Sequence, residues 1–212
     1  MDTKKVQCLC VGSIQTNCWI YPLSDESRAG YPESLKPCAV VDPGAEPKTI
    51  IKHLRDNDLY PKYILLTHGH FDHITALPDL LKAYKTTVAI HKAEPSSPAS
   101  STAAYLNTKD IKLLSDGETI GPFRLLHIPG HTPGSAAFYD EANDIMFTGD
   151  TLFYANCGRI DLPGGDEAKM YKSLERLLAM KPGIRVLPGH GPDSTIAAEA
   201  ARGLQYFIDL PE

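Results

Sequence analysis

The chain has 212 residues, 42% of them hydrophobic, enough for one domain with a sizeable core. A formal net charge of −5, with no long run of Lys and Arg, lacks the electrostatic footprint of a nucleic-acid binder. No apolar stretch approaches the ~20 residues with which a helix spans a bilayer, so no membrane-spanning helix is expected.

Lys4 and Lys5 precede Val6–Val11, which is too short and polar for a signal-peptide core and reads as a first strand. A cytoplasmic location is expected. Cys8 and Cys10 alternate with Gln7 and Leu9 and so face one side of that strand. The five cysteines, Cys8, Cys10, Cys18, Cys38 and Cys157, are odd in number and form no CxxC pair. Free buried thiols are expected rather than a disulfide framework. Strands follow at Cys18–Tyr21 and Ala39–Val41, and Leu23–Pro37, rich in Ser, Pro, Gly and charge, reads as a surface loop. Pro47 suits a first helical turn, and Ile50, Ile51 and Leu54 form a helical stripe ending near Asn57 and Asp58. Tyr63–Leu66 is a buried strand, Ile74–Tyr84 a helix, Thr87–Ile90 a strand, and Ser96–Leu106 a loop with a short helix. After Asp116-Gly117 come strands at Phe123–Ile128, Ala136–Tyr139 and Ile145–Thr148. A helix over Glu167–Met180 carries Met170, Leu174, Leu177 and Leu178 on one face. Arg185–Leu187 is a last strand and Thr195–Ile208 a last helix. Alternating strands and helices indicate a single α/β domain over residues 1–212.

The segment Thr67-His68-Gly69-His70-Phe71-Asp72-His73 follows a buried strand directly and holds four potential metal ligands. In extended chain, residues two apart point the same way, so His68 and His70 can share an ion. Asp72 and His73 open the next helix and can point at a second position. Imidazole and carboxylate suit zinc, and also manganese or iron. Three further segments share one format, an apolar strand, then a glycine, then a ligand: they lead to His131, Asp150 and His190. In α/β sheets such strand ends gather along one edge. The set is five His and two Asp, enough for two metals with open positions. His53, His91 and His127 lie within or beside apolar elements and read as structural. Asp42, in Val41-Asp42-Pro43-Gly44, either hydrogen-bonds a ligand histidine from behind or forms a turn.

This set resembles the metallo-β-lactamase superfamily over Asp42 to His190. The resemblance implies a four-layer αββα sandwich with metals at one edge of two sheets. It implies His68, His70 and His131 on the first ion and Asp72, His73 and His190 on the second. Asp150 bridges them, and Asp72 and Asp150 carry the catalytic roles. Two zinc ions are the expected cofactor. Within the superfamily, Gly130–Ser135, Thr148–Phe153 and Cys157-Gly158-Arg159 look like glyoxalase II-like proteins, the hydroxyacylglutathione hydrolases. That likeness places Arg159 against the glutathione portion of a small-molecule thioester. Gly189-His190-Gly191-Pro192 stands where the family has GHEY, and no C-terminal helical glutathione-binding domain follows. The loop Gly158–Asp166 resembles the GRxDxPGGD type of short bacterial members. The implied reaction is thioester hydrolysis by water that the metals acidify. Alternatives are a persulfide dioxygenase using one iron on His68, His131 and Asp150, suggested by Cys157–Asp161, and a lactonase, β-lactamase or other acyl hydrolase. A non-catalytic metal-binding module is the remaining reading.

Overall fold

Apolar residues at period two along the strands divide into two sets that face opposite ways, and this division sets the layers of the protein. The computed structural model describes residues 6–24, 34–97, 100–101 and 111–203. The first half of the chain forms a six-stranded sheet in sequence order: β1 (Gln7–Val11), β2 (Thr16–Pro22), β3 (Lys36–Val41), β4 (Leu59–Leu65), β5 (Thr87–His91) and β6 (Ile111–Leu114). The pairs β1–β2 and β2–β3 are antiparallel, and the rest are parallel. The parallel part is connected by α1 (Pro47–Asp56) and by α2 (Phe71–Ile74) with α3 (Leu77–Ala83). The second half forms another six-stranded sheet from β7 (Thr119–Ile120), β8 (Phe123–His127), β9 (Ala136–Asp140), β10 (Ile145–Gly149), β11 (Arg185–Pro188) and β12 (Ser194–Thr195). Here only β10–β11 is parallel, with α4 (Glu167–Leu178) as the crossover.

Three apolar layers result. Cys18, Ile20, Cys38 and Val40 face out and pack with Ile50, Leu54, Leu77 and Leu80 of the helices. Their neighbours Trp19, Tyr21, Ala39 and Val41 face in and meet Phe123, Leu125, Phe138 and Phe147 between the sheets. Leu126, Ala137, Tyr139 and Met146 face out again, onto Met170, Leu174 and Leu177 of α4. Helix, sheet, sheet, helix is the four-layer sandwich expected from the sequence.

Three expectations need correction. The helix read over Ile74–Tyr84 is two pieces. A continuous helix would need an N–H from Pro78 for the Ile74 carbonyl, and proline has none; the Ala76 amide donates instead to Pro43 O at 3.0 Å. Cys8 and Cys10 are exposed rather than buried, because β1 is an edge strand and turns that face to solvent, and Cys157 is only partly buried. The last helix, α5, spans only Ile196–Ala200 and breaks into a turn before Gly203, whose φ is +81°. The expected remainder of that helix (204–208), the central part of the Leu23–Pro37 loop and most of Ser96–Leu106 lie outside the described residues. No helix among the described residues is long and apolar enough to cross a membrane.

Candidate metal centre

The ends of β3, β4, β8, β10 and β11 bring Asp42, His68, His131, Asp150 and His190 to one edge of the sandwich. The two sheets are tied together there by backbone contacts. Ala136 N donates to Thr67 O at 2.9 Å, and Thr16 forms an isolated bridge with His190. Asn17 and Trp19 of β2 hold the turn before and after His190 through the carbonyls of Pro188 and Gly191.

All seven candidate ligands converge. Their donor atoms form three overlapping groups, each within 4.8 Å: His68–His70–His131, His68–His73–Asp150, and Asp72–His73–His190. His70 caps α2, which puts Asp72 and His73 in its first turn. Asp150 lies close to a histidine of each group. Its Oδ1 lies 3.3 Å from His73 Nε2, and its Oδ2 lies 3.6 Å from His131 Nε2 and 3.5 Å from His190 Nε2. Asp72 Oδ2 is 3.3 Å from His190 Nε2 and accepts the Thr16 hydroxyl at 3.0 Å. The close approach depends on glycine. A Cβ on Gly189 would sit 2.2 Å from Asp150 Oδ1 and 2.7 Å from the His73 ring, and Gly149, at φ +51°, leaves no room for one beside Thr67.

Hydrogen bonds from behind set which nitrogen of each ring faces the centre. Asp42 combines the two roles read from the sequence. It turns the chain at φ +50°, and its carboxylate accepts from Thr67 N at 2.8 Å, Thr67 Oγ1 at 2.7 Å and His73 Nδ1 at 3.0 Å. With its hydroxyl proton committed to Asp42, Thr67 accepts from His68 Nδ1 at 3.1 Å. His131 Nδ1 donates to the Arg159 carbonyl at 2.7 Å. His68, His73 and His131 therefore turn Nε2 lone pairs inward.

Those lone pairs test whether a cation fits. Nε2 of His68 and of His70 are buried without a hydrogen-bond partner, and His73 Nε2 meets only carboxylate oxygens of Asp72 and Asp150, each 3.3 Å away. His131 Nε2 and His70 Nδ1 face each other at 2.8 Å. Orphaned buried acceptors are costly, and a divalent ion satisfies several at once. Burial, reinforced by His73, pushes the His68 imidazole well down, and burial with His131 takes His70 to about 4, so both stay neutral as ligands require. Burial opposes ionisation of Asp150, but His73 and hydrogen bonds from His190 and His73 outweigh it and hold the carboxyl well below its usual range. Against burial, hydrogen bonds to Asp150 and Asp72 lift His190 to about 9. Without a cation, His73 and His190 serve as the counter-ions of these carboxylates, and cation binding displaces their protons.

The other sequence candidates separate cleanly. His53 hydrogen-bonds Gln7 at 2.6 Å, and His91 stacks on His127 with centroids 3.8 Å apart, outside the ligand groups. The Arg159 guanidinium is exposed and forks onto Asp161. Its backbone carbonyl, which the sequence reading did not consider, is what orients His131.

Glu94 was also missed. This carboxylate is wholly buried and accepts from Gly69 N at 2.8 Å, Thr132 Oγ1 at 2.7 Å and Gly134 N at 3.0 Å. It joins the loop carrying His70 to the loop carrying His131. Glu94→Ala leaves the buried amides of Gly69 and Gly134 unpaired and the Thr132 hydroxyl with Ser135 alone, and a loss of about 2–4 kcal/mol is expected in urea denaturation. Zinc affinity should fall about 10–100-fold in the same variant, while Glu94→Gln recovers part of both losses. Unchanged zinc affinity in Glu94→Ala would show that Glu94 does not set the ligand spacing.

The sequence profile of the metallo-beta-lactamase superfamily matches residues 35–190. This chain belongs to that superfamily. It is a metallo-hydrolase with a His/Asp cluster of the kind by which the superfamily holds divalent metals. It is 34% identical to the probable metallo-hydrolase YqgX of Bacillus subtilis (strain 168), over 89% of this chain and 91% of that one. It is 31% identical to the hydroxyacylglutathione hydrolase GloC of Haemophilus influenzae, covering 92% of this chain and 94% of the other. The crystal structure of TTHA1623 in a di-iron-bound form superposes with a TM-score of 0.79 at 35% identity, over 92% of this chain and 97% of that one.

Proposed function

We propose that this metallo-hydrolase cleaves thioesters, with S-2-hydroxyacylglutathione as the first substrate class to test. The observation that carries the reading is the convergence of seven donor side chains, with the Nε2 atoms of His68 and His70 buried and unpartnered among them. His68, His70 and His131 would hold one ion and Asp72, His73 and His190 a second, with Asp150 between them; zinc is the first choice. When bound, such ions bring the pKa of a water near neutrality and polarise an acyl oxygen. Asp150, between the residues proposed for the two ions, would hold them together and orient the attacking water by accepting its hydrogen bond. Asp72, fixed by Thr16, keeps its carboxylate on the solvent side of the cluster. A thiol has a pKa of about 8.5 and leaves as thiolate without a strong acid. The exposed Arg159–Asp161 pair can be exchanged for a pair between Arg159 and a glutathione carboxylate. The hydroxyacylglutathione hydrolase named among the relatives supports this choice of substrate.

The test is hydrolysis of S-lactoylglutathione before and after chelation. Turnover should fall at least about a hundredfold in stripped protein and return with zinc. Undiminished turnover after stripping would refute metal dependence.

A second reading is oxygen chemistry on a single iron. His131 Nε2 is 3.6 Å from Asp150 Oδ2 and the His68 and His131 rings are 4.8 Å apart, so a two-His, one-carboxylate face is contained in the cluster. Oxygen uptake with glutathione persulfide distinguishes it from hydrolysis.

A further inference from the structure

The cluster opens to solvent on one side. His68, His73 and His131 are 1%, 0% and 2% exposed, whereas the side chains of Asp72 and His190 are 12% and 25% exposed. Access is therefore past Asp72 and His190. Three of the five large exposed hydrophobics among the described residues lie within two residues in the chain of side chains that meet or belong to this side of the cluster: Ile14, Phe71 and Tyr154.

Each is placed there by the chain itself. Phe71 separates His70 from Asp72 in the first turn of α2. Ile14 lies in the β1–β2 turn, two residues before Thr16, which touches both Asp72 and His190. Tyr154 follows Phe153, whose ring meets His190 edge-on at 5.9 Å. The segment under Tyr154 is fixed rather than loose. Phe153 N donates to Asn156 O at 2.8 Å, and Ala155 N to the buried carboxylate of Glu199 at 3.0 Å. The nearby cations are engaged: Arg202 pairs with Glu199 and lies 5.0 Å over the Tyr154 ring, and Arg159 is held by Asp161.

Single exposed hydrophobics are ordinary on a protein surface, but three carried by the segments that bound the open side of a buried polar cluster are the composition expected of a subsite lip. We infer that the lip of Ile14, Phe71 and Tyr154 seats an apolar chain of the thioester, so that binding is drawn from aliphatic or aromatic substrate groups. This inference rests on the thioester reading. In the reaction, the oxygen of water bonds to the acyl carbon, the C–S bond breaks, and the products are a carboxylic acid and a thiol, with no redox change.

Two substrate series test it. One is S-acyl-N-acetylcysteamine from acetyl to hexanoyl; the other keeps acetyl and lengthens an alkyl thiol by the same four methylenes. A fully buried methylene is worth about fourfold. A half-open lip captures part of that, so kcat/KM should rise about tenfold along at least one series. In Ile14→Ser/Phe71→Ser the gain should shrink to about one. Both side chains are half exposed or more, so serine at either place leaves the core intact. Titration calorimetry with the matching non-cleavable thioethers should show the same dependence and the same loss. Cleavage at equal rates along both series, or a gain kept by the double variant, overturns the lip alone. Cleavage of no member overturns the thioester reading as well.

Discussion

Asp150→Ala is expected to lower kcat/KM for thioester hydrolysis at least about a thousandfold, equivalent to about 4 kcal/mol of transition-state stabilisation. Among the described residues Asp150 is the one carboxylate within 3.6 Å of His73, His131 and His190 together, so it stands between the residues proposed for the two ions. Its removal also takes negative charge from a site crowded with imidazoles, so cations are held less well and the attacking water loses its acceptor. The position is tightly enclosed: a Cβ on Gly158 would strike the Asp150 carbonyl at 1.8 Å, and one on Gly189 its Oδ1 at 2.2 Å. Asp150→Asn keeps the shape without the charge, and it should be nearly as impaired if charge rather than packing is at issue. Steady-state kinetics with circular dichroism of both variants makes the check. More than a tenth of the parent activity in a folded Asp150→Ala protein would remove Asp150 from the reaction.

That the seven candidate residues meet was legible because the segments that carry them follow apolar strands, and strand ends in α/β sheets gather along one edge. The alternation of Cys18 to Tyr21 and of Cys38 to Val41 likewise carried the layering, since one strand face must meet helices and the other must meet the second sheet. Glu94 was not legible. A single acid before Pro95 looks like a turn, and its partners lie at Gly69, Thr132 and Gly134, as far as 40 residues away. The Arg159 carbonyl was hidden for another reason: the family likeness drew attention to its side chain, whereas the backbone does the orienting. Short edge pieces such as β7 and β12, two residues each, carry no periodicity to read. The break between α2 and α3 hinged on one amide, Ala76, leaving the helix for Pro43. Pro78 gave a sequence signal for that break, but the apolar run from Ile74 obscured it.

The second large effect is on stability. Nε2 of His68 and of His70 are buried acceptors without partners, and burial makes each such atom costly. A ligand that binds only the folded state at about a thousand times its Kd adds about 4 kcal/mol. For a chain of this size that corresponds to a rise of about 10 °C in Tm. Loading also expels protons from His73 and His190, so metal affinity should weaken as the solution is acidified. The most direct measurement is the thermal midpoint of stripped protein followed against added zinc equivalents. A rise of about 10 °C that levels off at two equivalents per chain is predicted. Saturation at one equivalent, or no rise at all, would contradict a two-ion centre built from these seven residues.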